Sequence, residues 1–316
     1  MLMNTQRELF EKSKVVYESA ALSFRGVEGF DVYNTSVPFV WKGRSFLLGR
    51  VERRADWARS WVRLFAPTGP DEWTLVANAM IYPLEDPFIA WIGGELVMGG
   101  THVRYRAGEI DTLYTYFYRG SELHDLRYFT TGPDAMKDIR LVQLADQRIG
   151  VFSRPRNQEI VRRFGTEAQI GFTVIDRLED LTSDVIEQAA YIPGLFAQGE
   201  WGGCNQALLL ENGRIGIIGH KSYTHGAADG AKGMVYVNVS FVFDPAKREA
   251  SDLKIIGTRT CYPQGPAKRP ELGDCAFTSG IVMRPDGRAD LYSGIGDTGE
   301  GRITIDYPFP ARIVSP

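Results

Sequence analysis

The sequence predicts an all-β fold, a five-bladed β-propeller with a short N-terminal helix, and three observations carry that prediction. Asn34, Asp86 and Asp138 recur at an interval of 52 residues, and a repeat of this length with strand-like contents marks sheets arranged around an axis. Each of these polar positions is followed by a short apolar run, a turn (WKGR, IGGE, ADQR) and a second apolar run, which is the pattern of paired strands. The second half continues with ALLLENGRIGIIG, VYVNVSFVFD and GIVMRPDGRADLYSGIG, strand pairs with turns rich in Asp, Pro and Gly. The total is five sheets in a chain of 316 residues. In a propeller one end of every innermost strand reaches the common axis, so polar groups distant in sequence are expected to share one pocket.

The first stretch, MLMNTQRELFEKSKVVYESAALSF, has apolar residues at helical spacing and lacks the basic-then-apolar order of a signal peptide. It is expected to form a helical segment over residues 1–25 packed on the ring, with residues 26–316 forming the propeller. The net charge of −3 and pI near 5.9 provide no basic field, so nucleic acid is discounted as a partner. No apolar run approaches the roughly 18 residues that span a bilayer, and no membrane partner is expected. Cys204, Cys261 and Cys275 are odd in number and show no CxxC spacing, which suits a reducing compartment, and the cytoplasm is the expected location. Cys204 reads as a small buried thiol rather than a nucleophile. Neither a cofactor nor a metal is expected: carboxylates around one axis suit Ca²⁺ in principle, but there is no clustered ligand series, and the histidines show no zinc-like spacing. An oligomer is possible, since blade edges and the N-terminal helix both offer surfaces.

Five polar groups then stand as candidate pocket residues. FDVYNTSVPFV brings Asp31, Asn34, Thr35 and Ser36 ahead of a strand, with Arg50 closing the returning strand; in isolation Asn-Thr-Ser would read as an Asx turn, but the 52-residue echo favours the pocket. LEDPFIAWIGG places Glu85 and Asp86 ahead of an apolar strand, followed by His102, Glu109 and Asp111. Burial would raise a carboxyl pKa there, as a proton donor requires. MKDIRLVQL sets Lys137 beside Asp138, with Arg154 on the paired strand. GEWGGCNQALLLENGRIGIIGHKSY offers Glu200, Asn205 and His220, and the last group offers Glu271, Asp274, Asp297 and Thr298.

These residues, in the order NTS with Arg50, LEDPFI with GGELVMG, MKDIRLVQL with IGVFSRP, ALLLENGRIGIIGHKSY and FTSGIVMRPDGRADLYSGIGDT, resemble the five-bladed propellers of glycoside hydrolase family 130, the mannoside phosphorylases and hydrolases. The chain is more closely similar to domain-of-unknown-function family 1861, over about residues 28 to 305. The resemblance implies that Asp86 and Asp297 bind hydroxyls of the sugar nearest the cleaved bond. It also implies that Asp111 is the general acid, passing its proton through a hydroxyl of the bound sugar. Arg50, Lys137 and His220 fall where the phosphorylases hold phosphate, and Tyr236 matches a phosphate-site tyrosine. Glu200 departs from that pattern: it stands near the position of a phosphorylase lysine, where a carboxylate repels phosphate by several kcal/mol at an effective dielectric of ~20. Asp138 is a second departure, since an amide is more usual there.

The main expectation is therefore an enzyme, an inverting glycoside hydrolase acting on a small mannoside or related oligosaccharide. Asp111 is its acid and Glu200 its water-activating base, and Asp31, Asn34, Asp86, Asp138, Asn205 and Asp297 bind substrate. Inversion requires the two carboxyl groups to stand roughly 6.5 to 9.5 Å apart. One alternative is an inverting glycoside phosphorylase that holds inorganic phosphate with Arg50, Lys137, His220 and Tyr236. Another is a carbohydrate-binding protein without catalysis. Trp41, Trp91, Tyr116 and Trp201 are candidates for stacking on sugars, although blade packing accounts for each of them as well.

Overall fold

A computed structural model describes residues 3–226 and 232–314. The alternating apolar runs and turns form antiparallel sheets whose innermost strands follow one another around an axis. The first sheet begins with Asp31–Tyr33 and Phe39–Trp41 and continues through Arg44–Glu52, Trp61–Gly69 and Glu72–Leu75. Its innermost strand is broken over residues 34–38, where Asn34 has φ 47° and Pro38 lacks an N–H for the ladder. The second sheet runs Glu85–Ile92, Glu95–Arg106, Glu109–Gly120 and Arg127–Thr131, and the third Arg140–Gln143, Ile149–Ser153, Gly171–Ile175 and Ala190–Tyr191. The fourth is Glu200–Leu209, Ile215–Gly226, Lys232–Asp244 and Glu249–Gly257. The fifth, Asp274–Met283, Ala289–Ile295 and Gly299–Ile305, takes its outermost strand from the N-terminus, Glu18–Ala21. Fourth and fifth are hydrogen-bonded into one sheet through a two-residue parallel contact, Val235 with Asp274 and Tyr236 with Cys275.

Apolar residues fill the spaces between neighbouring sheets rather than a single central core. Val32, Leu47, Val51 and Phe65 of the first sheet pack with Tyr292 of the fifth, and Phe88 and Phe117 of the second pack with Leu141 and Val151 of the third. The axis is thereby left to polar side chains.

The first 25 residues do more than pack on the ring. The helix Met3–Ser13 lays Met3 against Val235, Val237 and Val239 and pairs Arg7 with Asp274 at 2.6 Å. Beyond it, Glu18–Ala21 completes the fifth sheet, and Ser23–Arg25 pairs in parallel with Glu72–Leu75 of the first. Residues 18–25 are thus ring strands, and only the helix stands outside it. Arg302 fastens the closure: its guanidinium grips Asp71 at 2.7 and 2.9 Å and reaches Glu18 at 3.1 Å and Asp290 at 3.2 Å. Among the described residues no helix is long and apolar enough to cross a membrane.

Because Arg302 bonds the last sheet to a turn of the first and to the N-terminal strand, Arg302→Ala should destabilise the ring by roughly 1–3 kcal/mol, the cost of leaving charged partners unpaired. Denaturant unfolding of the variant checks this, and a wild-type midpoint would show that the clasp contributes nothing.

Candidate functional site

Asn34, Asp86 and Asp138, the residues of the 52-residue interval, share a backbone conformation at the axis, with φ of 47°, 46° and 58°, and Asp297 joins them at 55°. Left-handed backbone is tolerated best by Asn and Asp among residues other than glycine, so these positions need such residues for the chain as well as for any ligand. The repeat also brings them into contact: Asn34 Nδ2 donates to Asp86 Oδ1 at 2.8 Å. Gly294 leaves the space for that side chain, since a Cβ there would fall 1.8 Å from Asn34 Oδ1.

Arg50 is the buried centre of one half of the site. Its Nε donates to Ser60 Oγ at 2.8 Å, and its terminal nitrogens donate to Asp86 at 3.0 Å, Glu85 at 2.7 Å and Glu52 at 3.2 Å. Glu52 in turn accepts from Lys268 at 2.5 Å and from the Tyr33 hydroxyl. Desolvation pushes the Glu85 carboxyl up to about 7 despite Arg50, with Asp86 adding to the rise. Burial likewise raises the Asp297 carboxyl, against Arg50 and with Asp86 reinforcing. Asp86 Oδ2 keeps only a 3.9 Å approach from Lys137 Nζ, and so remains available to a ligand hydroxyl.

The other half is cationic. Arg154 donates to Asp138 Oδ2 at 2.9 Å and to the Gly202 carbonyl at 2.7 Å, and Arg140 donates to the Asn205 carbonyl at 2.7 Å while lying over Phe88. Burial alone would raise the Asp138 carboxyl, but Arg154, Lys137 and Arg140 hold it well below the usual carboxylate range. His220 Nδ1 donates to Asn205 Oδ1 at 2.8 Å, which leaves Nε2 buried and without a partner in the protein. Burial, reinforced by Arg154, depresses the imidazole to about 3, so at neutral pH it is uncharged and Nε2 carries a lone pair. Gly203 permits this crowding: a Cβ would stand 3.0 Å from Arg154 Cδ and 3.1 Å from His220 Cε1. Tyr236 stacks against His220 with centroids 5.8 Å apart, accepts from Trp201 Nε1 at 3.2 Å, and is pushed by burial to about 12.

The structure thus gathers Asn34, Arg50, Asp86, Lys137, Asp138, Asn205, His220 and Tyr236 into one network of direct contacts, with Asp297 close enough to act electrostatically. Three sequence candidates stand apart. Asp31 pairs with Arg54 at 2.5 and 2.7 Å at the rim. Glu200 is buried but committed, taking Lys221 at 2.9 Å and the Ala197 N–H at 2.8 Å. Asp111 is exposed and accepts from Arg104 at 2.7 Å. It is the extra residue of a β-bulge between Ile110 and Thr112, a device that re-aims side chains near active sites. Of the proposed stacking aromatics, Trp41 and Trp91 stack on each other at 5.5 Å, Tyr116 stacks with His102 at 4.7 Å, and Trp201 is buried.

Sequence reasoning did not assign Glu52, Arg140, Lys268 or Glu300 to the site, and it named Arg154 only as the companion of Lys137 and Asp138, without a role of its own. For Arg154 a signal existed: Arg50, His102 and Arg154 also stand 52 residues apart, marking the ends of the returning strands. Glu300 gave none. It lies fully buried, accepting from the Thr35 N–H at 3.1 Å and the Ser279 hydroxyl at 2.7 Å, and so fixes the broken strand after Asn34 from the fifth sheet.

Burial raises the Glu300 carboxyl to about 8, outweighing those two hydrogen bonds. The unfolded carboxyl ionises near 4.5, so between about 4.5 and 8 the folded state holds the extra proton and stability falls as pH rises. Glu85, raised to about 7, adds to the lower part of that decline. In Glu300→Gln the fall between pH 7 and 8 should flatten, which unfolding midpoints across that range measure. An unaltered slope would mean that Glu300 is ionised in the fold.

Comparison with known proteins gives the site its relatives. No curated protein matches the chain. A mannose phosphorylase from Leishmania mexicana, solved with a phosphate ion, is 52% identical over 99% of this chain and 96% of its own, with a TM-score of 0.94. A GDP-Man-dependent mannosyltransferase from the same organism is 47% identical over 99% of this chain and 97% of its own, with a TM-score of 0.92. A glycosyl hydrolase from Bacteroides ovatus, 15% identical over 90% of this chain and 87% of its own at a TM-score of 0.60, shares the fold. Residues 8–311 match the family model described as protein of unknown function (DUF1861), and the chain belongs to that family.

Proposed function

We propose that the protein is an inverting glycoside phosphorylase, transferring a mannosyl group between a mannoside and inorganic phosphate. The observation that carries this reading is the divided pocket. Carboxyl groups of Asp86 and Asp297 stand on one side, and on the other Arg154 and a partly exposed Lys137 supply a wall of positive potential beside the neutral His220, whose Nε2 has no partner in the protein. An oxyanion suits that wall, because charge-assisted hydrogen bonds from guanidinium, ammonium and imidazolium groups are among the strongest available to phosphate. Similarity to the L. mexicana phosphorylase, solved with phosphate, supports the same reading. The relative that depends on GDP-Man also takes a phosphate-linked mannose, so its donor presents the same chemistry to this wall.

In the proposed reaction Asn34, Asp86 and Asp297 hold the hydroxyls of the mannosyl unit. A phosphate oxygen, placed by Lys137, Arg154, His220 and Tyr236, attacks C1 on the face opposite the leaving oxygen. The C1–O bond to the acceptor sugar breaks, the departing oxygen takes its proton from Asp111, which has to part from Arg104 and be protonated to give it, and the C1–O–P bond of a sugar 1-phosphate forms with inversion. Phosphate also supplies the negative charge that lets His220 take up a proton, so that Nε2 changes from acceptor to donor. Hydrolysis is the weaker reading, because its water-activating base was to be Glu200, and that carboxylate is occupied by Lys221 and a backbone N–H.

Incubation with mannosyl disaccharides, with and without phosphate, tests the reading: release of a sugar 1-phosphate only when phosphate is present is expected, and equal cleavage without phosphate would reject it. Lys137→Met should raise the KM for phosphate about tenfold or more, consistent with loss of a partly buried ion pair, and leave the KM for the mannoside near wild type. Asp111→Asn should lower kcat by about 10²–10⁴, the usual contribution of a general acid; unchanged turnover would remove Asp111 from the mechanism.

A further inference from the structure

We infer that Trp57 is the platform on which the acceptor sugar lies, an oligosaccharide subsite at the mouth of the pocket. The inference rests on the phosphorylase reading for the name of the ligand. Trp57 sits in the segment joining Arg44–Glu52 to Trp61–Gly69. That segment leaves the strand just after Arg50 and Glu52, and so lies at the pocket end of the ring. The hairpin that joins Glu95–Arg106 to Glu109–Gly120, and the stretch leading into Asp274–Met283, emerge at the same end.

All three converge on Trp57. The Tyr105 hydroxyl donates to the Trp57 carbonyl at 2.5 Å, and the Arg59 guanidinium covers the Tyr105 ring at 4.0 Å. From the third segment, the Arg269 guanidinium lies 4.0 Å from the indole centroid and Lys268 Nζ 5.9 Å from it. Trp57 is nevertheless 39% exposed as a residue. The backbone of Trp57 is fixed by Tyr105 and its ring is covered by the cations of Lys268 and Arg269, so the indole is held in place at the pocket end of the ring while part of the residue stays open. Cations over an indole contribute on the face they cover, while the exposed remainder is free for the C–H face of a pyranose. The sequence candidates for stacking are taken up in packing instead: Trp41 and Trp91 lie on each other, Tyr116 on His102, and Trp201 is buried.

Position decides the occupant. Lys268, in contact with the indole, bonds Glu52, which bonds Arg50, which bonds Asp86. The platform is therefore linked by a short series of contacts to the residue proposed to hold the transferred mannosyl unit. Asp111, the proposed donor of the proton to the acceptor oxygen, lies on the same hairpin as Tyr105. A platform on the proton-donor side receives the sugar that leaves. Of the two cations at the indole, Lys268 is committed to Glu52 at 2.5 Å, while the exposed Arg269 stays accessible, so a nucleoside diphosphate is the competing occupant that the calorimetry below separates.

The test uses the full chain, Trp57→Ala and Trp57→Phe, with thermal melts to confirm folding. In the synthetic direction, with a sugar 1-phosphate as donor, Trp57→Ala should raise the KM for the acceptor mannoside about tenfold, the size of one lost stacking contact. The KM for phosphate in phosphorolysis should stay within about twofold, and Trp57→Phe should recover most of the loss. An unchanged acceptor KM, or an equal rise in both constants, would overturn the assignment. Calorimetry separates it from the phosphorylase reading. Wild-type binding of a mannotriose that is lost in Trp57→Ala supports the platform even if no phosphorolysis is found. Binding of a nucleoside diphosphate but not of the mannotriose, or of neither, rejects it.

Discussion

A buried guanidinium has to be answered by charge, and the rest of the site follows from how Arg50 is answered. Removing a cation from water costs several kcal/mol unless acceptors surround it. Here the acceptors come from its own strand, Glu52, and from the neighbouring sheet, Glu85 and Asp86. Its ring-stacking partner is Tyr33, 4.6 Å away on the adjacent innermost strand. The first two blades therefore cannot shift against each other without stranding a charge. Three acids near one guanidinium are more negative charge than it can balance alone; Lys268 answers Glu52, and burial, with Asp86 adding to it, raises the Glu85 carboxyl. Rigidity of the carboxyl-rich half is a by-product of charge balance.

The cationic half is organised differently. Arg140 and Arg154 spend much of their donor capacity on the carbonyls of Asn205 and Gly202, so they are held by the backbone of the fourth sheet as much as by Asp138. Their charge is thus fixed in place while only partly neutralised. Burial first, and Arg154 second, keep the imidazole of His220 neutral, just as burial raises the Glu85 carboxyl. A ligand with a negative and a hydroxyl-rich end would find each end matched without side-chain rearrangement, and such preorganisation lowers the ordering cost of binding.

The fold was legible because the repeat is physical: the first three blades carry the same left-handed position on their innermost strand, at Asn34, Asp86 and Asp138, and that position favours Asn or Asp whichever ligand is bound. The same fact limits what the repeat says of function, since Asn34, Asp86 and Asp138 would recur in an inert propeller too. What stayed hidden were side chains whose roles depend on partners in another blade. Glu52 and Lys268 are 216 positions apart, and Glu300 reaches Thr35 across 265; no local pattern encodes such a pairing. Glu200 shows the converse. The resemblance made it a water-activating base because it stands near the position of a phosphorylase lysine, and the lysine that pairs with it, Lys221 on the facing strand, could not be read from its neighbours in sequence, since cross-strand register is settled by packing.

The N-terminal strand that closes the ring gives the molecule a temporal order. Glu18–Ala21 is synthesised first, yet its partner strand, Gly299–Ile305, is made almost last. Contacts so distant in sequence form late, because the entropy of closing the intervening loop must be met first. Until then the emerging chain carries an open strand edge and a first blade whose Asn34 turn lacks the Glu300 that fixes it. Building the sheets and completing the pocket are thus separate demands on the chain: the turn at Asn34 needs Glu300, 265 positions away from Thr35, and that contact exists only in the closed ring.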